Sequence, residues 1–212
     1  MSIHLYLIHH LIHMRTRDIE KEKLVKKIAI ETIAKGGFES FSMNKLAKAC
    51  GISVATLYIY YKDKDDLLLQ LAVEHGKMLS KSMLHNFDAE ATFEDGLRQQ
   101  WKNRYRDLIN NPTLSKFNEQ LRASVYQDQF NSTLMEDILA PFKRFNENII
   151  SRGEVREMSL EVYWSVAFAP LYALIKFNNE GQSLGGKPFK MTEVMLWEAF
   201  DLVVKGLKKE IK

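Results

Sequence analysis

A chain of 212 residues with 46% hydrophobic content and four prolines can bury a sizeable core in one or two domains, which excludes a disordered tail. The net charge of +3 is too small for indiscriminate binding to nucleic acid, yet it is unevenly placed. Arg15 to Lys64 carries eleven Lys and Arg against six Asp and Glu, and the rest carries nineteen against twenty-one. The single cysteine, Cys50, excludes an intramolecular disulfide and fits a reducing compartment.

Residues 1–14, MSIHLYLIHHLIHM, differ in composition from the remainder of the chain, and a start at Met14 would leave the later elements complete. They are expected to be an N-terminal extension in the form of a flexible arm. His9 and His13 stand at the i, i+4 spacing that can hold a divalent ion on a helix, but no cysteine or carboxylate partner accompanies them, so no metal site is expected. A cationic start and a small-residue cleavage site are both missing, so no secretory signal is read. The longest uncharged runs, Met1 to Met14 and Val162 to Ile175, are 14 residues each, short of the roughly 18 that a membrane span needs. The expectation is a cytoplasmic protein without a membrane partner.

The body reads as helix nearly throughout. Val25, Ile28, Ala29, Thr32 and Ile33 mark one helical face, which Gly36 and Gly37 end. Ser42 is a candidate N-cap for a helix whose face is Met43, Leu46, Ala47 and Cys50, which puts Cys50 in the core. Gly51 supplies the permissive backbone of a tight turn, Ile52 plugs the gap between helices, and Ser53 caps the next helix from Val54. On that helix Leu57 and Tyr61 face the core. Val54, Thr56, Tyr58, Ile59, Tyr60 and Lys62 spread over the outside, an aromatic, hydroxylated and cationic surface that suits a DNA duplex. Asp63 and Asp66 frame the start of a long helix reaching about His85. Five more helices are read: Phe93 to Asn110, Thr113 to Gln127, Ser132 to Ser151, Ser159 to Asn179 and Thr192 to Lys209. No strand alternation and no internal repeat is read, so the fold class is all-α.

The run CGISVATLYIYYKDKDDLL, Cys50 to Leu68, is a helix-turn-helix signature. The segment from about Lys21 to Leu69 resembles the TetR family of bacterial transcriptional regulators. The residues that carry the resemblance are Ala49, Gly51, Ser53, Thr56, Leu57, Tyr58, Tyr60, Tyr61, Lys62, Lys64, Asp65, Leu67 and Leu68, about a quarter of the chain. Val54 and Ile59 depart from the polar residues frequent at those places, which points to apolar readout. The resemblance implies phosphate contacts from Ser42, Thr56, Tyr58 and Lys62, and base-edge positions for Val54, Ala55 and Tyr60; Ser53 and Lys64 complete the expected DNA-binding set. Lys62 and Lys64 also cluster just past the recognition helix, a placement suited to phosphate on any sequence.

The domain organisation expected is thus the extension (1–14), a helix-turn-helix DNA-binding domain (15–64), and a helical effector-binding and dimerisation domain (65–212). In the last, the helix from Ser159 is apolar all round: Leu160, Tyr163, Trp164, Ala167, Phe168, Leu171, Leu174 and Ile175 on one face, Val162, Val166, Ala169, Ala173 and Phe177 on the other. A partner subunit is the simplest cover for it. The resemblance implies that the last two long helices pair across a two-fold axis, with Val166, Ala169, Ala173, Phe177, Met195 and Leu202 at the interface. It also implies a palindromic operator, action as a repressor and release by a small apolar or aromatic effector. Pro170 is expected to kink its helix. The aromatics Trp101, Tyr105, Phe117, Tyr126, Phe130, Phe142, Phe145, Trp164 and Phe168, with Leu121, are either core or the lining of an effector pocket whose polar end Gln100, Arg104, Asn118 or Arg122 would fix. No cofactor is expected. Three rivals stay open: a regulator controlled without a small ligand, an activator, and a helical-bundle enzyme. Against the enzyme, His75 and His85 are isolated and read as surface residues, and no catalytic motif is present, so no catalytic residue is named.

Overall fold

The computed structural model describes residues 3–209, with side chains from Ile19 onward. The histidines of the N-terminal extension, and the metal reading attached to them, lie outside the described side chains. Among the described residues the regular elements are helices, apart from two isolated bridges, Val155 with Lys208 and Gln182 with Pro188. They are α1 (Ile3–Gly36), α2 (Met43–Cys50), α3 (Val54–Tyr60), α4 (Lys64–Met83), α5 (Phe93–Asn110), α6 (Pro112–Arg122), α7 (Gln127–Ser151), α8 (Leu160–Glu180) and α9 (Glu193–Leu207). The chain divides into two compact units, Met1–Glu74 with Thr113–Phe130 and His75–Pro112 with Asn131–Lys212.

In the first unit, Val25, Ala29 and Ile33 of α1 are completely buried, as their helical spacing requires. Gly37 ends α1 at φ 72°, and its amide donates to the Ile33 carbonyl at 2.8 Å. Ser42 caps α2 by accepting from the Lys45 amide at 3.3 Å. Gly51 then adopts φ 65°, ψ 30°, a left-handed conformation that costs a residue with a Cβ. Its amide and that of Ile52 donate to the Ala47 and Lys48 carbonyls left open at the helix end. This turn sets α3 against α2, and Leu57 is buried completely with Tyr61 beside it at 1% exposure.

The segment 113–130, expected to lie with the effector domain, packs into the first unit instead. Phe117 and Leu121 are fully buried, the Phe38 ring meets the rings of Phe117 and Tyr126 at 6.4 and 5.2 Å, and the Tyr126 hydroxyl donates to Asp65 at 2.6 Å. Burial and the hydrogen bond to the acid both hold the Tyr126 proton in place.

The second unit is built around Phe93, Leu97 and Trp101 of α5, packed with Phe145 and Ile149 of α7, Ala167, Phe168, Leu171 and Ile175 of α8, and Leu196, Phe200 and Val203 of α9. Trp101 is wholly enclosed; its indole N–H donates to the Ala167 carbonyl at 2.8 Å and its ring meets Phe200 edge-on at 5.3 Å. Gly96 is required here, since a Cβ would fall 2.2 Å from the Phe145 ring. Ser159 and Thr192 cap α8 and α9 through the Val162 and Met195 amides. Helix α8 runs on through Pro170 and α7 through Pro141, each at the loss of one backbone donor. By length and composition alone α8 is apolar enough to cross a membrane; here it supplies five buried side chains to this core. His75 is not on the surface as expected but buried, at 4% exposure, because α4 turns that face into the unit. Cys50 is only half-buried, though burial still raises its thiol pKa.

Candidate functional site

Helix α3 is seven residues long, too short to be stable alone, so its position rests on its ends and its buried face. Ser53 Oγ accepts from the Thr56 amide at 3.1 Å and lies 2.8 Å from Thr56 Oγ1. At the other end the Tyr61 amide donates to the Leu57 carbonyl at 2.9 Å. Next along the chain is a pair of acidic caps: Asp63 accepts from the Asp66 amide and Asp66 from the Lys62 amide, both at 2.8 Å. With Leu57 and Tyr61 inside, Ala55 is exposed, Tyr58 is 53% exposed and Ile59 79%. Val54, Thr56 and Tyr60 are half-exposed or less buried than Leu57, and Lys62 is exposed.

Ser42 at the start of α2 and Lys64 on α4 apart, the expected DNA-binding residues fall on one short stretch of chain, Ser53 to Lys62, with two qualifications of role. Ser42 and Ser53 each accept a backbone amide as N-cap, which leaves the Ser42 O–H able to reach a phosphate, while the Ser53 and Thr56 hydroxyls share a hydrogen bond that uses the O–H of one of them. Lys64 does not extend outward with Lys62. Its ammonium donates to the Phe38 carbonyl at 3.4 Å and lies 5.9 Å from the Phe41 ring, because residue 64 opens α4 and points back along it. Asn44, Lys45 and Lys48 of α2 are exposed and were not singled out from the sequence; the polar side of the α2 face pattern was the signal for them. Tyr61, buried as its spacing from Leu57 implies, keeps a hydroxyl without a hydrogen-bond partner, and burial pushes its pKa up to about 12.

The second unit holds a cavity of about 620 Å³ lined mainly by apolar groups from α5, α7 and α8. Of the residues expected as core or effector-pocket lining, the structure brings Phe142, Phe145, Trp164 and Phe168 to its wall. Trp101 lies in the packed core and Tyr105 is half-buried against it. Phe117, Leu121 and Tyr126 belong to the first unit, where they hold the 113–130 segment. Among the wall residues that sequence reasoning missed are Met135, Ile138 and Leu139 of α7 and Tyr163 of α8; their periodicity is that of any apolar helix face. The expected interface residues Val166, Ala169, Met195 and Leu202 are exposed, with Val166 at 40%, Met195 at 40% and Leu202 at 67%. Ala173 is exposed as well and Phe177 is half-buried.

Residues 27–71 match the family model described as bacterial regulatory proteins, tetR family. An uncharacterized HTH-type transcriptional regulator of Haemophilus influenzae is 38% identical over 82 residues, 39% of this chain and 44% of that protein. The fatty acid metabolism regulator protein of Bacillus subtilis is 32% identical over 69 residues, 32% of this chain and 36% of that protein. The chain thus spans less than half the length of either relative. A solved TetR family transcription regulator from Marinobacter aquaeolei superposes with a TM-score of 0.78 at 25% identity, over 92% of this chain and 100% of that one. The motif geometry around α3, the family model over the same residues and the structural likeness agree: residues 27–71 are similar to the DNA-binding segment of the tetR family of bacterial regulatory proteins, and 92% of the chain shares the fold of a solved TetR family regulator.

Proposed function

We propose that this protein is a transcriptional repressor that binds a palindromic DNA operator as a homodimer and leaves it when a small effector occupies the cavity of the second unit. The observation that carries the reading is the outer surface of α3. A capped helix anchored by Leu57 and Tyr61 turns Ala55, Tyr58, Ile59 and Lys62 outward, and that mix of apolar tips, a phenol and a cation can enter a major groove and hold its phosphates. Two-fold pairing is supported by the apolar surface on α8 and α9, where Leu160, Val162, Val194 and Leu202 are each more than half exposed. A dimer sets two recognition helices about 34 Å apart on the two half-sites. Effector and operator then oppose each other to the extent that the effector prefers one arrangement of the heads.

The test is selection of random duplexes by the purified protein at two salt concentrations, with Lys62→Ala in parallel. A palindromic motif is expected, with Lys62→Ala weakening binding on every sequence and lowering the salt slope by about 1. Binding that is salt-sensitive but free of any motif would overturn the reading.

A further inference from the structure

Arg104 is the feature the DNA-binding reading leaves without a purpose. It is the most buried cation among the described residues, at 2% exposure. Elsewhere two half-buried cations are paired with acids, Lys26 with Glu22 and Glu74 and Arg98 with Glu94. Arg104 has no such partner. Its Nε donates to the Tyr172 hydroxyl at 3.1 Å and its Nη1 to the Gln100 carbonyl at 3.2 Å, both neutral acceptors, while Nη2 donates to nothing. The aromatic rings of Phe168, Trp164 and Phe142, centred 4.1, 5.4 and 5.7 Å away, attract the cation without neutralising it. A guanidinium stays charged under all ordinary conditions, so its burial costs free energy until an anion arrives.

The surroundings define where that anion would sit. Gln100, Phe142, Trp164 and Phe168, all neighbours of the guanidinium, line the 620 Å³ cavity. So does Tyr163, whose hydroxyl is the second buried polar atom of this region without a partner and is close enough to feel the charge of Arg104. Tyr163 thus stands on the wall of one apolar space, and Arg104 lies directly behind that wall, against Gln100, Phe142, Trp164 and Phe168. The remaining charged side chains on the wall, Lys143 and Glu161, are of opposite sign and leave the preference to the buried pair.

We propose that the cavity takes an amphipathic carboxylate, its head accepting hydrogen bonds from Arg104 and Tyr163 and its apolar body lying against Met135, Ile138, Leu139 and Phe142. A carboxylate supplies the missing charge and, through two oxygens, acceptors for both donors. A neutral alcohol of the same body would fill the space and leave the guanidinium unpaired. The assignment rests on the reading of this cavity as the effector site.

The test uses the full-length protein and paired probes, decanoate with decanol and phenylbutyrate with phenylbutanol, plus decyltrimethylammonium, measured by calorimetric titration and thermal shift without DNA. At least one acid is expected to bind about tenfold or more tightly than its alcohol, with the ammonium weakest, as a charge-assisted hydrogen bond to a buried site implies. Arg104→Met, which removes the buried charge at similar volume and should fold well, is expected to erase that preference while the alcohol still binds. Tyr163→Phe is expected to weaken the acid about threefold to tenfold and leave the alcohol unchanged. Equal binding of acid and alcohol, or an acid preference that survives Arg104→Met, overturns the carboxylate assignment and leaves the effector cavity standing. Binding of no probe overturns both, and leaves the DNA-selection result untouched.

Discussion

The two units treat polar groups in opposite ways. Around α2 and α3 nearly every hydroxyl and carboxylate is answered locally: Ser42 by the Lys45 amide, Ser53 by Thr56, Asp63 by Asp66, Asp66 by Lys62. Around the cavity, Arg104 and Tyr163 keep donors with no acceptor. Local satisfaction fixes the geometry of a short helix before it meets anything, which suits a surface that must present side chains in register to a rigid duplex. Orphaned donors beside an apolar cavity do the reverse and leave part of the stability to be supplied by a ligand.

The largest test of that contrast is removal of the second unit's central side chain. Trp101→Ala deletes a fully enclosed indole, its hydrogen bond to Ala167 and its edge contact with Phe200. A loss of about 3–5 kcal/mol is expected in urea unfolding. A loss below about 1 kcal/mol would mean that this core is not the rigid frame on which the cavity depends.

A finer test compares two tyrosines. The Tyr61 hydroxyl is orphaned in a packed interior, and the Tyr163 hydroxyl is orphaned in a residue of the cavity wall. Replacing either by phenylalanine removes a buried unsatisfied donor, so both variants should gain about 1 kcal/mol when unliganded. They part when a carboxylate probe is added: Tyr61→Phe should keep the full ligand-induced rise in melting temperature, and Tyr163→Phe should lose part of it. Identical responses would make both hydroxyls ordinary costs of packing.

Much of the first unit was legible because its signals are local. Caps, a left-handed glycine, and the spacing of Leu57 and Tyr61 act within a few residues, and they specify α2, α3 and their exposed face with no knowledge of the rest. Lys64 was misread because its neighbour in sequence, Lys62, points to solvent while Phe38 and Phe41, more than twenty residues upstream, capture its ammonium. The same limit explains Phe117, Leu121 and Tyr126, which look like any aromatic helix face until the contacts of Phe38 and Asp65 place them. The cavity was illegible for a stronger reason: its wall comes from three helices, and a missing side-chain volume leaves no mark in periodicity. Of the four polar residues open to a ligand's head, Gln100 and Asn118 are buried as well, and Arg104 is set apart as the buried charge that lacks an acid.

The smallest effect concerns the acidic caps after α3, and its sign can be fixed in advance. The Asp66 carboxylate accepts from the Gln70 amide group at 3.0 Å and from the Lys62 backbone amide at 2.8 Å, and these bonds, with the nearby Lys62 charge, lower its pKa below the ordinary 3.8. A carboxyl whose pKa is lower when folded than when unfolded stabilises the fold above the unfolded value, and that contribution disappears as pH falls through the folded one. Thermal melts of the wild type and of Asp66→Asn should therefore converge on acidification from about pH 5 to about pH 3, the difference at the upper end being modest because the residue is only half-buried and solvent screens it. Curves that stay parallel across that window would mean that the amide of asparagine caps as well as the carboxylate does. The register of α3 would then rest on hydrogen-bond geometry alone, and the contrast with the cavity, where a full charge waits for its partner, would become sharper.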